Sequence, residues 1–305
     1  MAKRATLEDL KSRLDAIDKD IYPLLEAPKE VFSFRVNLHK ASVKEVLELL
    51  KKEGLEPKAT IFEDSFTLPL EDKSKLTHTL AYSKNYIYIQ NLSSIFAANA
   101  LDINPTDWVL DLAAAPGGKS LIFSQKAKKV SAVEPNRSRF FAMIRNFKEM
   151  GAKNILTFNK DGRFVYKATP KWFDKVFLDA PCSSESHIDI KEGITWWSQR
   201  RIYKFAKLQK QLIISAFESL KDGGEMIYAT CTFAPEENEA VLDFLLKKYP
   251  TAKIVPIEHN LSNIKGGISS WQGEEYSKEV ENSLRILPKD GFSGFFLAKI
   301  VKDIN

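Results

Sequence analysis

Cys182 and Cys231 are the only two cysteines in the 305-residue chain, and each closes a short motif, Asp179-Ala-Pro-Cys182 and Tyr228-Ala-Thr-Cys231. A thiolate is the strongest nucleophile a side chain offers, and a helix N-terminus or a cationic neighbour lowers its pKa. A cysteine taken alone reads more simply as a small buried hydrophobe. Here, however, both follow short apolar runs, Lys175 to Leu178 and Met226 to Ala229, that read as neighbouring parallel strands. Both cysteines, with Asp179, would then converge where open α/β sheets bind ligands, just past the C-terminal ends of the strands. A helix start expected within Ala234 to Asn238 would favour the Cys231 thiolate. There is no C-x-x-C pair and the four histidines are scattered, so neither a zinc site nor a structural disulfide is expected.

A second chemical element lies upstream, in Trp108-Val-Leu-Asp-Leu-Ala-Ala-Ala-Pro-Gly-Gly-Lys-Ser120. Val109 to Leu112 reads as a buried strand, Pro116, Gly117 and Gly118 as a forced turn, and Lys119 to Lys126 as a helix. Strand, glycine turn and helix together point backbone amides into a ligand crevice. The spacing is neither G-x-G-x-x-G nor G-x-x-x-x-G-K-[ST], so a nucleoside without a pyrophosphate fits better than a dinucleotide. Glu134, at the end of the next strand, suits ribose hydroxyls. Asp161, after the third, could accept from an adenine amino group, or serve as an ordinary turn residue.

The elements that must position these residues follow an alternating α/β pattern from about residue 88. Strands are expected at 130–133, 155–158, 175–178, 226–229, 253–256 and 294–301, and helices at 91–101, 138–150, 199–220 and 236–248. Asp222-Gly-Gly224 is expected to close the long helix, and residues 258–281 read as an irregular loop. Before residue 88 lies a small α+β module. Thr6 and Asp9 open a single helical stripe over 6–24, closed by Pro23 and Pro28. Residues 31–37 read as a strand, Ser42 and Glu45 as a capping box, and 60–70 and 77–90 as stretches containing further strand-like pieces. Arg35 and Asn37 could face a ligand, and the module is expected to be removable without loss of the main sheet's pocket. Two units follow: 1–87, and 88–305.

Composition is that of an ordinary soluble protein, 44% hydrophobic and 28% charged. No run reaches membrane-span length, and Met1-Ala-Lys-Arg4 lacks the apolar core of a leader, so a cytoplasmic monomer is expected. Net charge is +5, yet residues 119–175 carry fourteen Lys/Arg against four acidic residues, a surplus of ten. That suggests a polyanionic partner as readily as a solvated lysine-rich face.

These segments resemble the Sun-type family of S-adenosylmethionine-dependent RNA (cytosine-C5) methyltransferases. The resemblance spans Tyr88 to Val301 and rests on Gln90-Asn-Leu-Ser-Ser94, the 109–119 loop, Asp179-Ala-Pro-Cys-Ser183, Tyr228-Ala-Thr-Cys-Thr232, Pro235-Glu-Glu-Asn-Glu239, and Leu287-Pro288 with Gly294-Phe-Phe296. It implies a Rossmann-like class I methyltransferase sheet (α/β) with a small N-terminal α+β RNA-binding domain. Ala113, Ala114, Ala115, Pro116, Gly117, Gly118 and Lys119 would wrap the methionine part of S-adenosyl-L-methionine. Glu134 would hold its ribose, Asp161 its adenine, and Asp179 would stand between cofactor and target base. Cys231 would be the nucleophile and Cys182 would assist product release. The substrate would be rRNA or tRNA, with no metal and no membrane. Where many members follow Pro-Cys-Ser with glycines and basic residues, this chain has Ser184-Glu-Ser-His-Ile188, which resembles the branch containing the mitochondrial members. A non-catalytic RNA-binding or assembly factor, or a methyltransferase acting on another acceptor such as DNA or a small molecule, are the alternatives. Intact motifs argue against the first, and the second crevice cysteine against the other.

Overall fold

The computed structural model describes residues 5–194 and 196–304; the Met1-Ala-Lys-Arg4 stretch read above for a leader lies outside them. α1 (Leu7–Ile17) opens on a reciprocal capping box: the Asp9 amide donates to Thr6 Oγ1 at 3.2 Å and the Thr6 amide to the Asp9 carboxylate at 2.8 Å. The expected single stripe breaks at Asp18, whose backbone is extended, and a second helix, α2 (Ile21–Glu26), follows. Pro23 lies in the first turn of α2, where a missing N–H leaves no bond unmade, so it opens a helix rather than closing one. Leu10, Leu14 and Ile21 bury themselves against Ile188, Trp197 and Phe233 of the later chain.

β1 (Val31–Val36) is followed by α3 (Val43–Lys52), β2 (Lys58–Ala59), β3 (Ser65–Pro69), α4 (Lys73–Thr77), α5 (Leu80–Ser83) and β4 (Ile87–Ile89). The strands form an antiparallel sheet in the order β2-β3-β1-β4, covered by Val46 and Leu50 of α3. Of the stretch 77–90, expected to contain strand-like pieces, Ile87–Ile89 forms β4 and the earlier part is helical. Thr79 caps α5 by accepting from the Tyr82 amide, and a capped turn is helical.

The larger unit contains α6 (Leu92–Asn99), β5 (Trp108–Asp111), α7 (Gly118–Ser124), β6 (Lys129–Val133), α8 (Arg137–Met150), β7 (Ile155–Phe158), β8 (Phe173–Asp179), α9 (Gln199–Ser219), β9 (Leu220–Thr230), α10 (Glu239–Lys248), β10 (Ala252–Val255), β11 (Ile264–Gly266), β12 (Ser270–Trp271), β13 (Glu274–Glu275), β14 (Leu284–Ile286) and β15 (Phe295–Lys302). Its sheet runs β11-β14-β15-β9-β8-β5-β6-β7, with β10 also on β15. β9-β8-β5-β6-β7 pair in parallel, and β15 lies antiparallel to β9. One face packs on α9 and α10, the other on α6 and α7. This two-sided burial explains why the central strands read as continuous apolar runs.

Three expectations for this unit change. α9 passes directly into β9, so the Asp222-Gly-Gly224 segment lies within a strand. Residues 258–281 are not an irregular loop but carry β11, the β12–β13 hairpin and a 3₁₀ turn. The helix expected from Glu236 begins only at Glu239, because Pro235 to Asn238 form turns that serve another purpose, described below.

Arg35 neither faces a ligand nor lies exposed. It is 1% exposed, with Nε donating to Gln90 Oε1 at 2.9 Å and a terminal nitrogen to the Gly118 carbonyl at 3.2 Å. Burial pulls its pKa down to about 10, still charged at neutral pH. Asn37 is likewise buried, and its amide donates to the Asn85 and Met150 carbonyls. The N-terminal module therefore braces the first turn of α7, and its removal would leave buried acceptors unpaired. Arg35→Met is expected to cost about 3 kcal/mol of stability, since two acceptors lose a charged donor in the dry. Denaturant unfolding would check this, and a midpoint equal to wild type would show that the contact is dispensable. Deleting residues 1–85 should remove the cooperative transition altogether, contrary to the expectation from sequence.

Candidate active site

The loop after β5 owes its shape to its glycines. Gly117 has φ +104°, and its amide donates to the Ala114 carbonyl at 2.7 Å; a Cβ there would strike the Phe147 ring. A Cβ on Gly118 would approach the Tyr88 ring to 2.9 Å. Only glycine lets α8 and β4 close against this turn. From the loop, Lys119 Nζ reaches back to Asp179 Oδ2 at 2.6 Å. Burial alone would lower the Lys119 pKa, but the Asp179 charge and hydrogen bond outweigh it and hold the pKa above the ordinary value.

A cleft of about 480 Å³ runs past the ends of β5, β6, β8 and β9 and is lined by Ala113, Ala115, Glu134, Asp161, Asp179, Cys182 and Cys231. A smaller recess on the other side of the loop is lined by Ala114, Pro116, Gly118, Lys119 and Asp179 among others. All the candidate residues except Gly117 thus border one of two adjoining spaces, and Gly117 shapes the turn between them. The Glu134 carboxylate is buried, accepts from the Asn136 amide at 2.8 Å, and lies 3.5 Å from Arg139. Arg139 also donates to the Ala115 carbonyl at 2.7 Å, tying loop to carboxylate. Asp161 borders the same cleft, but its carboxylate caps a 3₁₀ turn and is held by Arg163 at 2.6 Å, which depresses its pKa.

The two sulfurs lie 3.1 Å apart at the inner end of the cleft. Their surroundings differ. Lys119 and His187 face Cys231, although Asp179 does too, whereas the Glu237 carboxylate faces Cys182. Hydrogen bonding from Cys182, aided by His187, brings the Cys231 pKa down to about 5. The neighbouring sulfur and burial push the Cys182 thiol well up. α10 starts eight residues on, so its N-terminus does not take the part the sequence assigned to it; the Cys182 hydrogen bond and, after it, His187 do.

The turn at Pro235 to Asn238 fixes both cysteine loops. Glu237 Oε2 accepts from the Ser183 amide at 2.9 Å and from Gln209 at 2.8 Å, and Gln209 also holds the Pro181 carbonyl. Asn238 accepts from Thr230 Oγ1 at 2.6 Å and donates to the Thr232 carbonyl at 3.0 Å. Glu185 crosses between them, accepting from Thr232 Oγ1, the Phe233 amide and Trp197 Nε1. Burial raises the Glu237 pKa to about 8.

The model of the family described as 16S rRNA methyltransferase RsmB/F matches residues 98–301. A tRNA (cytosine(49)-C(5))-methyltransferase of Pyrococcus abyssi is 37% identical over 88% of this chain and 88% of its own length. The chain belongs to this family. It is an S-adenosylmethionine-dependent methyltransferase. Ribosomal RNA small subunit methyltransferase F of Pectobacterium atrosepticum is 34% identical over 88% of this chain, of which it is the longer partner, since the chain spans only 56% of it. A solved methyltransferase homologue from Pyrococcus horikoshii superposes with a TM-score of 0.77 at 30% identity, covering 94% of this chain and 90% of that one. NSun6 from the same organism, solved with SFG, gives 0.80 at 22% identity over 97% and 98%, a likeness of fold.

The site fits the cofactor of the RsmB/F family. A glycine turn that no Cβ could enter, a buried rim carboxylate, and a free acceptor all border the paired spaces. That acceptor is Asp111 Oδ1, which is buried without a partner while Oδ2 takes the Ser120 hydroxyl at 2.6 Å. Burial lifts the Asp111 pKa to about 7. Sequence reasoning passed over Asp111, although a polar residue closing an apolar strand was the available signal. It also missed Arg139, and the Phe205, Leu208 and Leu212 wall that α9 supplies. The charge surplus of residues 119–175 is not one face. Lys129 opens β6, while Lys171, just before β8, and Lys175, in its first half, pair with Asp222 and Glu225; Arg163 lines a recess next to the cleft with Lys204 and Lys207 of α9.

Proposed function

We propose that this chain forms 5-methylcytosine in rRNA or tRNA, with attack by Cys231 on C6 of the base. The observation that carries the reading is the pair of sulfurs 3.1 Å apart, in the same cleft as Glu134 and beside the Lys119–Asp179 pair. The cofactor would supply an electrophilic methyl group; Glu134 would hold its ribose, Asp161 its adenine edge, and the 113–119 loop its methionine part. Cytosine C5 is a poor nucleophile until a thiolate adds to C6, which makes C5 enamine-like. Cys231, as thiolate, forms the C–S bond while charge moves onto the ring. Asp179, with the Lys119 ammonium behind it, meets the N3 edge, and a proton passed from this pair to N3 neutralises the charge that develops there and returns when the C–S bond breaks. After methylation C5 loses its proton, the C–S bond breaks, and Cys231 leaves as the thiolate; Cys182 assists this release. The target base must leave its stack to enter, aided by the basic and aromatic wall of α9.

Transfer of labelled methyl groups from S-adenosylmethionine to tRNA, rRNA and duplex DNA, with mapping of the modified base, tests the reading. Label at C5 of cytosine in RNA is expected. Label on DNA, or RNA binding with no transfer, would replace it by one of the alternatives.

Glu134→Ala is expected to weaken cofactor affinity about 10- to 100-fold, the loss of hydrogen bonds to a buried charged acceptor, and to leave RNA affinity unchanged. Calorimetry with the cofactor and its demethylated product checks this. Equal affinities would remove Glu134 from the ribose site.

A further inference from the structure

The face of α9 that walls the cleft ends in a cation without an acceptor. Phe205, Leu208 and Leu212 line the cleft, and Arg201 lies one turn before Phe205 on the same helical stripe. Its guanidinium carbon is 5.1 Å from the centre of the Phe205 ring and 5.4 Å from that of Trp196, which is 38% exposed. Among the described residues, no oxygen accepts from this guanidinium, and its Nε is buried without a partner. Arg13, Arg35, Arg139, Arg163 and Arg285, by contrast, each donate to a carboxylate or a carbonyl. Aromatic rings hold a guanidinium by its charge but leave its forked N–H groups unspent.

Both supports of this arginine are fastened to the cysteine loops. Trp197, next to Trp196, donates from Nε1 to Glu185 at 2.8 Å, and Glu185 also accepts from Thr232 and the Phe233 amide beyond Cys231. Gln209 of α9 donates to the Pro181 carbonyl at 2.9 Å, just before Cys182. The guanidinium is therefore carried at a fixed place relative to the two sulfurs. Across Phe205 and Leu208 the cleft adjoins a recess of about 600 Å³ lined by Arg163, Lys204 and Lys207, whose carboxylate, Asp161, is already held by Arg163. The surroundings thus favour an anion.

We propose that Arg201 binds a backbone phosphate of the RNA beside the cytosine that enters the cleft, the Trp196 and Phe205 rings holding its guanidinium ready. The inference rests on the RNA reading above. A base inserted as far as the sulfurs leaves its flanking phosphates at the mouth, and Arg201 stands there, about 6 Å along the helix axis from Phe205. A phosphodiester presents two free oxygens to the fork of a guanidinium, a match that a point charge lacks. An arginine already fixed by two rings loses little side-chain freedom on binding. The contact reads no base; it sets where the strand runs as the cytosine leaves its stack.

The test is binding of a single-stranded oligoribonucleotide containing one cytosine to the full chain, followed by fluorescence anisotropy over a series of KCl concentrations. Arg201→Gln is expected to bind about tenfold more weakly, the loss of a charged hydrogen bond, and to reduce the salt slope by about 0.7, the loss of one phosphate contact on a single strand. Arg201→Lys should keep the wild-type slope with only part of the affinity, and it serves as the second variant should the glutamine protein unfold. Methylphosphonate in place of the phosphates flanking the cytosine should weaken the wild type about tenfold and leave Arg201→Gln unaffected. A folded glutamine variant with the wild-type slope, or with the wild-type response to methylphosphonate, overturns the site while leaving the RNA reading in place. Failure of the wild type to bind the oligoribonucleotide at all overturns the RNA reading itself, and the site with it.

Discussion

Cys231→Ala protein is expected to lose methyl transfer by about 10⁴-fold or more and to form no covalent RNA species, as when a covalent nucleophile is removed. Cys182→Ala protein is expected to behave differently, accumulating an RNA–protein adduct that survives denaturing electrophoresis when S-adenosylmethionine is present. The asymmetry has a physical origin. Cys231 lies among Lys119, His187 and the Cys182 thiol, which favour its thiolate, whereas Cys182 faces the Glu237 carboxylate and is buried. One sulfur is set up to attack and the other to stay protonated beside the adduct. Gel electrophoresis with labelled RNA reads both variants at once. An adduct in Cys231→Ala and none in Cys182→Ala would exchange the roles, and full transfer by both would remove covalent catalysis from the reading.

Asp179→Asn should slow the chemical step by about 10²- to 10³-fold, the usual loss on removing one preorganised group from where charge develops. The amide keeps the shape of the carboxylate but cannot carry a proton to N3, and Lys119, largely enclosed, loses the partner now 2.6 Å away. Part of the effect would then fall on the Lys119 ammonium, which the carboxylate holds in its charged form. Single-turnover methyl transfer at saturating RNA and cofactor isolates the step. A wild-type rate would show that neither Asp179 nor its pairing with Lys119 serves the reaction.

The sequence by itself determined the parallel sheet and the end of it where the candidate residues gather, because fully buried strands must be apolar throughout and the polar residues closing them have only the crevice to enter. From that periodicity alone, the 109–119 loop, Glu134, Asp179 and both cysteines could be placed on one side of the sheet. Short-range capping was equally legible at Thr6 and Ser42, where a side chain and an amide three residues on satisfy each other locally. Contacts between residues far apart in the chain were not legible. Arg35 could be read as facing a ligand because its acceptors, Gln90 and the Gly118 carbonyl, lie 55 and 83 residues away. The motif at Pro235 to Glu239 looked like a helix start, yet its carboxylate and amide are spent on the two cysteine loops, which delays the helix to Glu239. The electrostatic difference between the two sulfurs was equally out of reach. It depends on which charged group the fold brings against each thiol, and only the packing of the 184–187 turn, α7 and Glu237 around a 3.1 Å sulfur pair decides that.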